Sequence, residues 1–392
     1  MIVLIVVGTL LALCTLPGTL ELFALSFAAL FPSARRSSAN ARTLKVAVVL
    51  PAHNEELNIG RCVASLRTAD REGLVLTIAV VADNCTDATA ETAAAAGAQV
   101  LVRHNATERG KGYALDFAFQ SLLLEGHDVF IVVDADSEVS PDFLRLMTAA
   151  FRSGAQAAQG SYTVRNAGDS VRTRLMSVAL LAFNVLRPRG RDRLGLSAGI
   201  YGNGFALTAE TLRDVPYTAS SVVEDLEYHL ALVRAGIRVR FVQAAVVQGD
   251  MPVAGPGVQT QRARWEGGRF HMMSTHAPRL LLEVLKGRFR FLEPLLDLIL
   301  LPLGFHALLL VLAAATPFWL ARDLGLAGLA VILFHLLTAI AVGGGSLRDV
   351  GVLAFAPLYI LWKMLMIPKL LRSARSGAEW VRTEREPEKR LP

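Results

Sequence analysis

Val129-Phe130-Ile131-Val132-Val133-Asp134-Ala135-Asp136 is the stretch on which the fold turns. Its first five residues are a short, β-branched apolar run of the kind that makes a buried strand. In an open parallel sheet ligands bind beyond the carboxyl ends of the strands, so Asp134 and Asp136 point to a site. Carboxylates one residue apart at such a mouth are the oxygen ligands that Mg²⁺ or Mn²⁺ takes when it also holds a diphosphate. A solvated strand end or a helix cap would use the same residues, so the pair alone leaves the choice open.

Upstream, the same alternation of strand and helix repeats. Strands are expected over Lys45 to Leu50, Leu76 to Ala82, Gln99 to Val102 and Val129 to Val133, with helices over Leu57 to Leu66, Ala88 to Ala96 and Tyr113 to Leu124. That order predicts an α/β domain with a mostly parallel sheet and helices on its faces. Polar residues follow the early strands. Pro51-Ala52-His53-Asn54-Glu55-Glu56 comes after the first and Asp83-Asn84-Cys85-Thr86-Asp87 after the second. Amides and carboxylates there are suited to grip a base and ribose, with Asn54, Glu55 and Asp83 the candidates. Asn54, Thr86 and Asp87 are equally good helix caps. Arg109-Gly110-Lys111-Gly112-Tyr113 opens a helix with two cations between glycines, so that Lys111 can approach a phosphate; a solvated turn is the alternative. Gly202-Asn203-Gly204-Phe205 has too few fixed positions for a dinucleotide fingerprint. It reads as a close backbone approach beside a substrate at Asn203. Val222-Val223-Glu224-Asp225 begins an acidic first helical turn, which is favourable at a helix N-terminus whatever else it does. His53, His104, His229 and His271 are scattered and read as surface or packing residues.

The 392 residues are 53% hydrophobic, which is high for a wholly soluble enzyme. Four stretches approach the roughly 20 residues that a bilayer core requires. They are Met1 to Phe31, Leu295 to Ala321, Leu324 to Val342 and Val350 to Leu371. The first lacks the basic start and small-residue cleavage pattern of a signal peptide and is expected to be a retained anchor. Pro357, Pro368 and Lys363 suit an interfacial or re-entrant course for the last. Arg35, Arg36, Arg42 and Lys45 follow the anchor, which puts the polar domain on the cytoplasmic side of an inner (plasma) membrane in a multi-pass protein. The expected organisation is residues 1–31 anchor, 44–275 catalytic domain, 276–294 interfacial amphipathic region, 295–371 membrane or interfacial helices and 372–392 basic tail. Cys14, Cys62 and Cys85 have neither even number nor metal-like spacing, so no disulfide framework or zinc site is indicated. The net charge of +6 is spread along the chain and densest beside the apolar stretches. It favours anionic membrane lipids over nucleic acid as a partner.

In order, Pro51 to Glu56, Asp83 with Asp87, Gly110-Lys111-Gly112, Asp134-Ala135-Asp136, Glu224-Asp225 and Gln261-Arg262-Ala263-Arg264-Trp265 resemble the family 2 glycosyltransferases. The resemblance is to the membrane-embedded branch that contains cellulose, chitin and hyaluronan synthases, and it covers about Val46 to Gly268. It implies a GT-A fold, Rossmann-like and specific for nucleotide-diphospho-sugars, in a cytoplasmic domain joined to transmembrane helices. It further implies a nucleoside diphosphate sugar donor, usually a uridine one, and an inverting, metal-dependent hexosyl transfer. By the same resemblance Pro51, Ala52, Glu55 and Asp83 cradle the nucleoside, Asp134 lies near the ribose and diphosphate, and Asp136 ligates Mg²⁺ or Mn²⁺. Asp225 is the general base with Glu224 beside the substrate, while Gln261, Arg264 and Trp265 close over the diphosphate and flank the acceptor. The family's usual threonine before the acidic pair is Val223 here. The implied acceptor is a growing polysaccharide exported by a polymer synthase; four apolar stretches are few for a self-contained export channel, a difficulty that a partner subunit or a dimer would lessen. A glycolipid synthase acting on a membrane lipid is the alternative. A non-catalytic sugar-nucleotide scaffold is disfavoured by the joint presence of Asp136, Asp225, Arg264 and Trp265, and a transporter by the lack of repeated polar interruptions in the apolar stretches.

Overall fold

The computed structural model describes residues 2–32, 42–219, 221, 223–253 and 256–364. The chain divides into two compact units. One comprises Met1–Pro32, Gly168–Leu194 and Pro252–Pro392, the other Ser33–Ala167 and Gly195–Met251. The stretch 44–275, expected to be one domain, is thus shared between them.

The second unit is built on one sheet. Its strands are β1 (Leu44–Ala52), β2 (Leu74–Asp83), β3 (Gln99–Arg103), β4 (Val129–Val132), β5 (Glu138–Val139), β6 (Ala157–Val164), β7 (Phe205–Thr208) and β8 (Val239–Gly249), in the order β3-β2-β1-β4-β7-β6-β8-β5. The half from β3 to β4 is parallel, as expected. β7 then runs antiparallel to both neighbours, β8 is parallel to β6, and β5 closes the edge antiparallel, so the sheet is mixed but mostly parallel, with β7 and β5 the reversed strands.

Alternation along β1 explains its apolar run from Val46 to Leu50. Val46, Val48 and Leu50 enter one core, and Ala47 and Val49 the other. A strand covered on both faces has no polar side to show. Helices of the unit are α2 (Ile59–Thr68), α3 (Thr89–Ala95), α4 (Lys111–Leu122), α5 (Phe143–Arg152), α8 (Ala209–Asp214) and α9 (Glu224–Arg234). α2 and α5 supply Ile59, Val63, Phe143 and Met147 to the first core. α4 and α9 supply Leu115, Phe119, Tyr228 and Leu232 to the second.

The first unit contains α1 (Ile2–Ala29), α6 (Val171–Leu180), α7 (Arg187–Arg193), α10 (Pro256–Leu285), α11 (Leu292–Ile299), α12 (Leu303–Ala314), α13 (Trp319–Val342), α14 (Leu347–Gly351) and α15 (Ala356–Met364). A π turn over Leu181–Leu186 joins α6 to α7. Among the described residues α1 and α13 are long and apolar enough to cross a membrane. The stretch Leu295 to Ala321, expected as one span, is instead two helices, Phe289–Ile299 and Leu303–Ala314, bent by 81°. The cause is Pro302, which lacks an N–H and drives the preceding residue out of helical geometry. Leu300, two residues before the proline, already caps α11 with extended backbone. Val350 to Leu371 begins with short helical pieces up to Met364, and its remainder lies outside the described residues, as does the basic tail.

Small residues let these helices approach closely. A Cβ added at Gly190 of α7 would lie 2.3 Å from the Leu25 carbonyl oxygen of α1, and one at Gly325 of α13 would lie 2.7 Å from the Leu310 oxygen of α12.

Candidate active site

The register of the sheet builds the site. β1 and β4 pair Val49 with Val132, and β4 pairs Val132 with Phe205 of β7, so Asp134 and the Gly202-Asn203-Gly204 turn emerge side by side. Gly204 N–H donates to the Val132 carbonyl at 2.9 Å. The turn needs its glycines, since Gly202 and Gly204 have φ of +74° and +70°.

Asp134-Ala135-Asp136-Ser137 forms a tight turn in which Ser137 N–H donates to the Asp134 carbonyl at 3.0 Å. Asn203, 1% exposed, holds that turn from the other side. Its Oδ1 accepts from Asp134 N–H at 3.1 Å and its Nδ2 donates to Ser137 Oγ at 2.9 Å. Ser137 Oγ in turn donates to Asp136 Oδ1 at 3.1 Å. Asn203 therefore orients the acidic turn through a relay. Gln159 of β6, fully buried, fixes Asn203 by donating to its carbonyl at 2.7 Å while accepting from Tyr201 N–H at 3.0 Å.

Across from this turn stands Lys111, the first residue of α4. Its ammonium donates to Asp134 Oδ1 and, at 2.6 Å, to the Gly202 carbonyl. A Cβ on Gly202 would sit 3.5 Å from Lys111 Nζ and 3.4 Å from Asp225 Oδ2, so the carboxylate from the first turn of α9 reaches the same place. Burial pulls the Lys111 pKa down, but Asp134, Glu224 and Asp225 outweigh it and raise the value. Burial, reinforced by neighbouring Asp225 and opposed by Lys111, lifts Glu224 to about 7. Burial also raises Asp225, against the hydrogen bond its Oδ1 accepts from Leu226 N–H at 2.8 Å and the charge of Lys111. Lys111, Asp134, Glu224 and Asp225 thus share one pocket of field, although nearly 115 residues of sequence separate the first from the last.

The loops after β1 and β2 lie at the same carboxyl edge. Asn54 and Asn84 adopt left-handed backbone, φ +56° and +51°, which few non-glycine residues do without a reason. Asn54 Oδ1 accepts from Thr86 N–H at 2.8 Å, Thr89 Oγ1 from Glu55 N–H at 2.8 Å, and Glu56 Oε2 from Ala88 N–H at 3.0 Å, so the two loops are laced together. Glu55 Oε2 also accepts from Asn58 Nδ2 at 2.9 Å. Asn54 caps no helix; the first turn of α2 begins later, at Ile59. Pro51 and Ala52 end β1. Asp83 ends β2 opposite Arg103, the last residue of β3, whose Nη1 donates to Asp83 Oδ1 at 2.8 Å in a buried ion pair. The burial-raised Cys85 thiol beside them is a poor nucleophile.

Gln261, Arg264 and Trp265 lie on α10 in the other unit. The side chains of Gln261 and Arg264 are outside the described residues, and Trp265 is half-buried.

Ser137, Gln159 and Arg103 have no place in the motif reading. Ser137 was the most accessible of the three, because it directly follows Asp-x-Asp. Gln159 and Arg103 become visible only once strand register is known.

A mixed sheet with acidic turns at the carboxyl ends of its parallel half, next to a lysine at a helix start, is the GT-A-like architecture of nucleotide-sugar transferases. The solved mannosyltransferase PcManGT from Pyrobaculum calidifontis shares the fold, with a TM-score of 0.55 at 16% identity over 95% of this chain and 98% of that one. Residues 47–213 match the model for Glycosyl transferase family 2. The probable glycosyltransferase YdaM of Bacillus subtilis (strain 168) is 26% identical over 238 residues, which are 58% of this chain and 56% of that protein. An N-acetylglucosaminyltransferase of Rhizobium leguminosarum bv. viciae is 27% identical over 339 residues, 82% of this chain and 77% of that protein. The chain spans little more than half the length of the Bacillus relative. Together the family match and these relatives support a family 2 glycosyltransferase.

Proposed function

We propose that the protein is an inverting glycosyltransferase of the inner membrane, with its GT-A domain on the cytoplasmic side, that moves a sugar from a nucleoside diphosphate donor to a hydroxyl acceptor held at the membrane. The observation that carries this is the convergence of Lys111, Asp134, Glu224 and Asp225 beside the Gly202 turn. Pro51, Ala52, Asn54, Glu55 and Asp83 line the strand ends where the nucleoside would lie, and Lys111 at the start of α4 would meet the diphosphate.

The residues fit a divalent cation. Among the described residues no group of three or more His, Cys, Asp or Glu side chains forms a cage. Asp136, oriented by Ser137, offers a hard oxygen, and Mg²⁺ or Mn²⁺ bound by one or two carboxylates completes its shell with substrate phosphates and water. The Pyrobaculum neighbour is described in complex with GDP-mannose and Mn²⁺. When bound, the cation stabilises charge on the departing diphosphate. Asp225 takes the proton of the acceptor hydroxyl as its oxygen bonds to the anomeric carbon, while the bond from that carbon to the diphosphate oxygen breaks and the nucleoside diphosphate leaves. Attack from the opposite face inverts the anomeric configuration. Gln261, Arg264 and Trp265 are assigned to closing over the diphosphate and flanking the acceptor.

The count of spans bears on the acceptor. Among the described residues there are two spanning-length helices, or three if the bent pair is one. That is few for an enclosed polymer channel and favours a membrane lipid as acceptor. Transfer to a growing polysaccharide is the second reading, supported by the length of the match to the Rhizobium N-acetylglucosaminyltransferase. Purified protein in lipid is to be incubated with radiolabelled uridine and guanosine diphosphate sugars and Mg²⁺ or Mn²⁺. Label extracted with organic solvent supports a glycolipid, label retained as high-mass material supports polymer, and no transfer from any donor would overturn the proposal.

A further inference from the structure

Six ionisable side chains from four separate segments are packed together inside the first unit. They are Glu21 on α1, Arg187 and Arg191 on α7, Arg269 on α10, and Glu293 and Asp297 on α11. Arg187 Nη2 lies 2.7 Å from Glu21 Oε1 and 2.6 Å from Asp297 Oδ1, and Arg191 Nη2 lies 2.6 Å from the same Asp297 oxygen. Arg191 Nε meets Glu293 Oε1, and Arg269 donates to the carbonyl of Asp297 and, at 3.3 Å, to that of Leu300, with its guanidinium 3.8 Å from Asp297 Oδ1. The guanidinium groups of Arg187 and Arg269 both lie over Phe183, 5.2 Å and 5.8 Å from the ring centre. Three positive and three negative groups balance, so the cluster has no net charge with which to recruit an anion. Its geometry is that of a tether.

What it tethers is specific. Arg269 is one helical turn beyond Trp265 on α10, and residues four apart share a helix face. Between them stand Gly267 and Gly268, the residue type with the lowest helix propensity after proline, and glycine pairs are where helices kink. Arg269 also donates to two carbonyls where α11 stops, that of Asp297 in its last turn and that of its C-cap Leu300, and the last carbonyls of a helix lack intrahelical partners. The fixed point of α10 thus falls directly after its weakest point.

We infer that Arg269, locked by Asp297 and through it to Arg187, Arg191 and Glu21, is a positioning residue that sets the turn of α10 carrying Trp265 for glycosyl transfer. The inference rests on the transfer reaction proposed above and extends it to residues that contact neither donor nor acceptor in that scheme. Glu21 makes the N-terminal helix part of the device.

The test uses the full-length protein in lipid, with Arg269→Gln, Arg269→Lys and Asp297→Asn. Amide hydrogen exchange is read separately over residues 262–268 and 272–283, alongside donor KM, kcat and thermal midpoint. With the tether lost in Arg269→Gln, exchange over 262–268 is expected to rise at least tenfold while 272–283 changes less than threefold. The kcat is expected to fall at least tenfold with donor KM within about threefold. Arg269→Lys, which keeps the charge, should restore at least a third of the kcat. Unchanged exchange over 262–268 in both Arg269→Gln and Asp297→Asn, or a kcat within twofold of wild type, would overturn the inference. So would equal loosening of both segments, which marks a general structural role. If wild type transfers no sugar, the exchange pattern still decides whether the tether exists, and only the assigned reaction falls.

Discussion

At the scale of single residues, Asp225 and Glu224 share one field and must be judged together. Both are raised by burial, Glu224 to about 7, and the charge of Asp225 makes ionising Glu224 harder still. A general base works only when deprotonated, so activity should rise with pH through the pair's elevated pKa rather than near 4. The pH profile of kcat/KM is expected to have its acid limb above the ordinary carboxylate range. An acid limb at the ordinary carboxylate value of about 4 would show that burial does not raise the base. Asp225→Asn should lower kcat by at least ~10²-fold with donor binding intact, measured by isothermal titration with the nucleoside diphosphate. Asn203 calls for a different measurement, since it orients Asp136 through Ser137 without facing the cleft. Asn203→Ala should weaken Mn²⁺ affinity, followed by titration in the presence of nucleoside diphosphate, roughly 10- to 100-fold, the usual effect of removing an outer partner of a metal carboxylate.

At the scale of elements, legibility followed burial. β1, β2 and β4 were readable because strands covered on both faces are apolar throughout, and their ends moved by no more than two residues. β6 was not readable. Its Ala157-Ala158-Gln159-Gly160-Ser161 run lacks β-branched residues because other backbone crowds it: a Cβ at Gly160 would lie 2.6 Å from the Ala245 oxygen, beside the register shift between β6 and β8. The site divided the same way. Asp134, Asp136, Lys111 and Asp225 were visible as motifs, whereas Gln159 and Arg103 depend on which strands are neighbours. The bent pair α11–α12 could have been anticipated from Pro302, but hydropathy averaged over a window hides a single proline. Close approach gives a prediction of its own. Gly190→Ala must push α7 from the backbone of α1 at Leu25, which cannot yield as a flexible side chain would. A loss of about 3 kcal/mol is expected, at the upper end for overpacking, seen as a lower thermal midpoint in detergent. Gly351→Ala is the control, because nothing lies within 4 Å of its added Cβ and its backbone is helical, so it should be neutral or slightly stabilising.

At the scale of the molecule, the question is whether α1 only anchors the chain. Its sequence reads as an anchor with one anomalous acid, and an acid in a spanning segment is costly unless paired and therefore marks a function. Glu21 is paired with Arg187 and approached by Arg191, while two further α1 side chains meet buried histidines: Thr19 Oγ1 lies 3.0 Å from His306 Nε2 and Ser26 Oγ 2.7 Å from His335 Nδ1. None of these contacts is required for holding a chain in a bilayer, where length and apolarity suffice. All of them belong to the packing of the first unit. Leaving one member of a buried ion cluster unpaired costs about 3–5 kcal/mol, more than the cluster itself contributes over an apolar replacement. Exchanging residues 2–29 for a leucine-alanine helix of equal length should therefore leave the protein in the membrane fraction but strand Arg187 and Arg191 against too few acids. The expected result is a thermal midpoint lower by roughly 6–20 °C, from about 2–4 °C per kcal/mol for a unit of this size. Adding Arg187→Met and Glu293→Gln to the same exchange leaves Arg191 and Arg269 against Asp297 alone, whereas adding Arg187→Met by itself restores two cations against two acids. Recovery should appear with the single addition and not with the double one. A midpoint unaffected by the helix exchange would mean that α1 is an anchor alone and that Glu21 carries no weight in the fold.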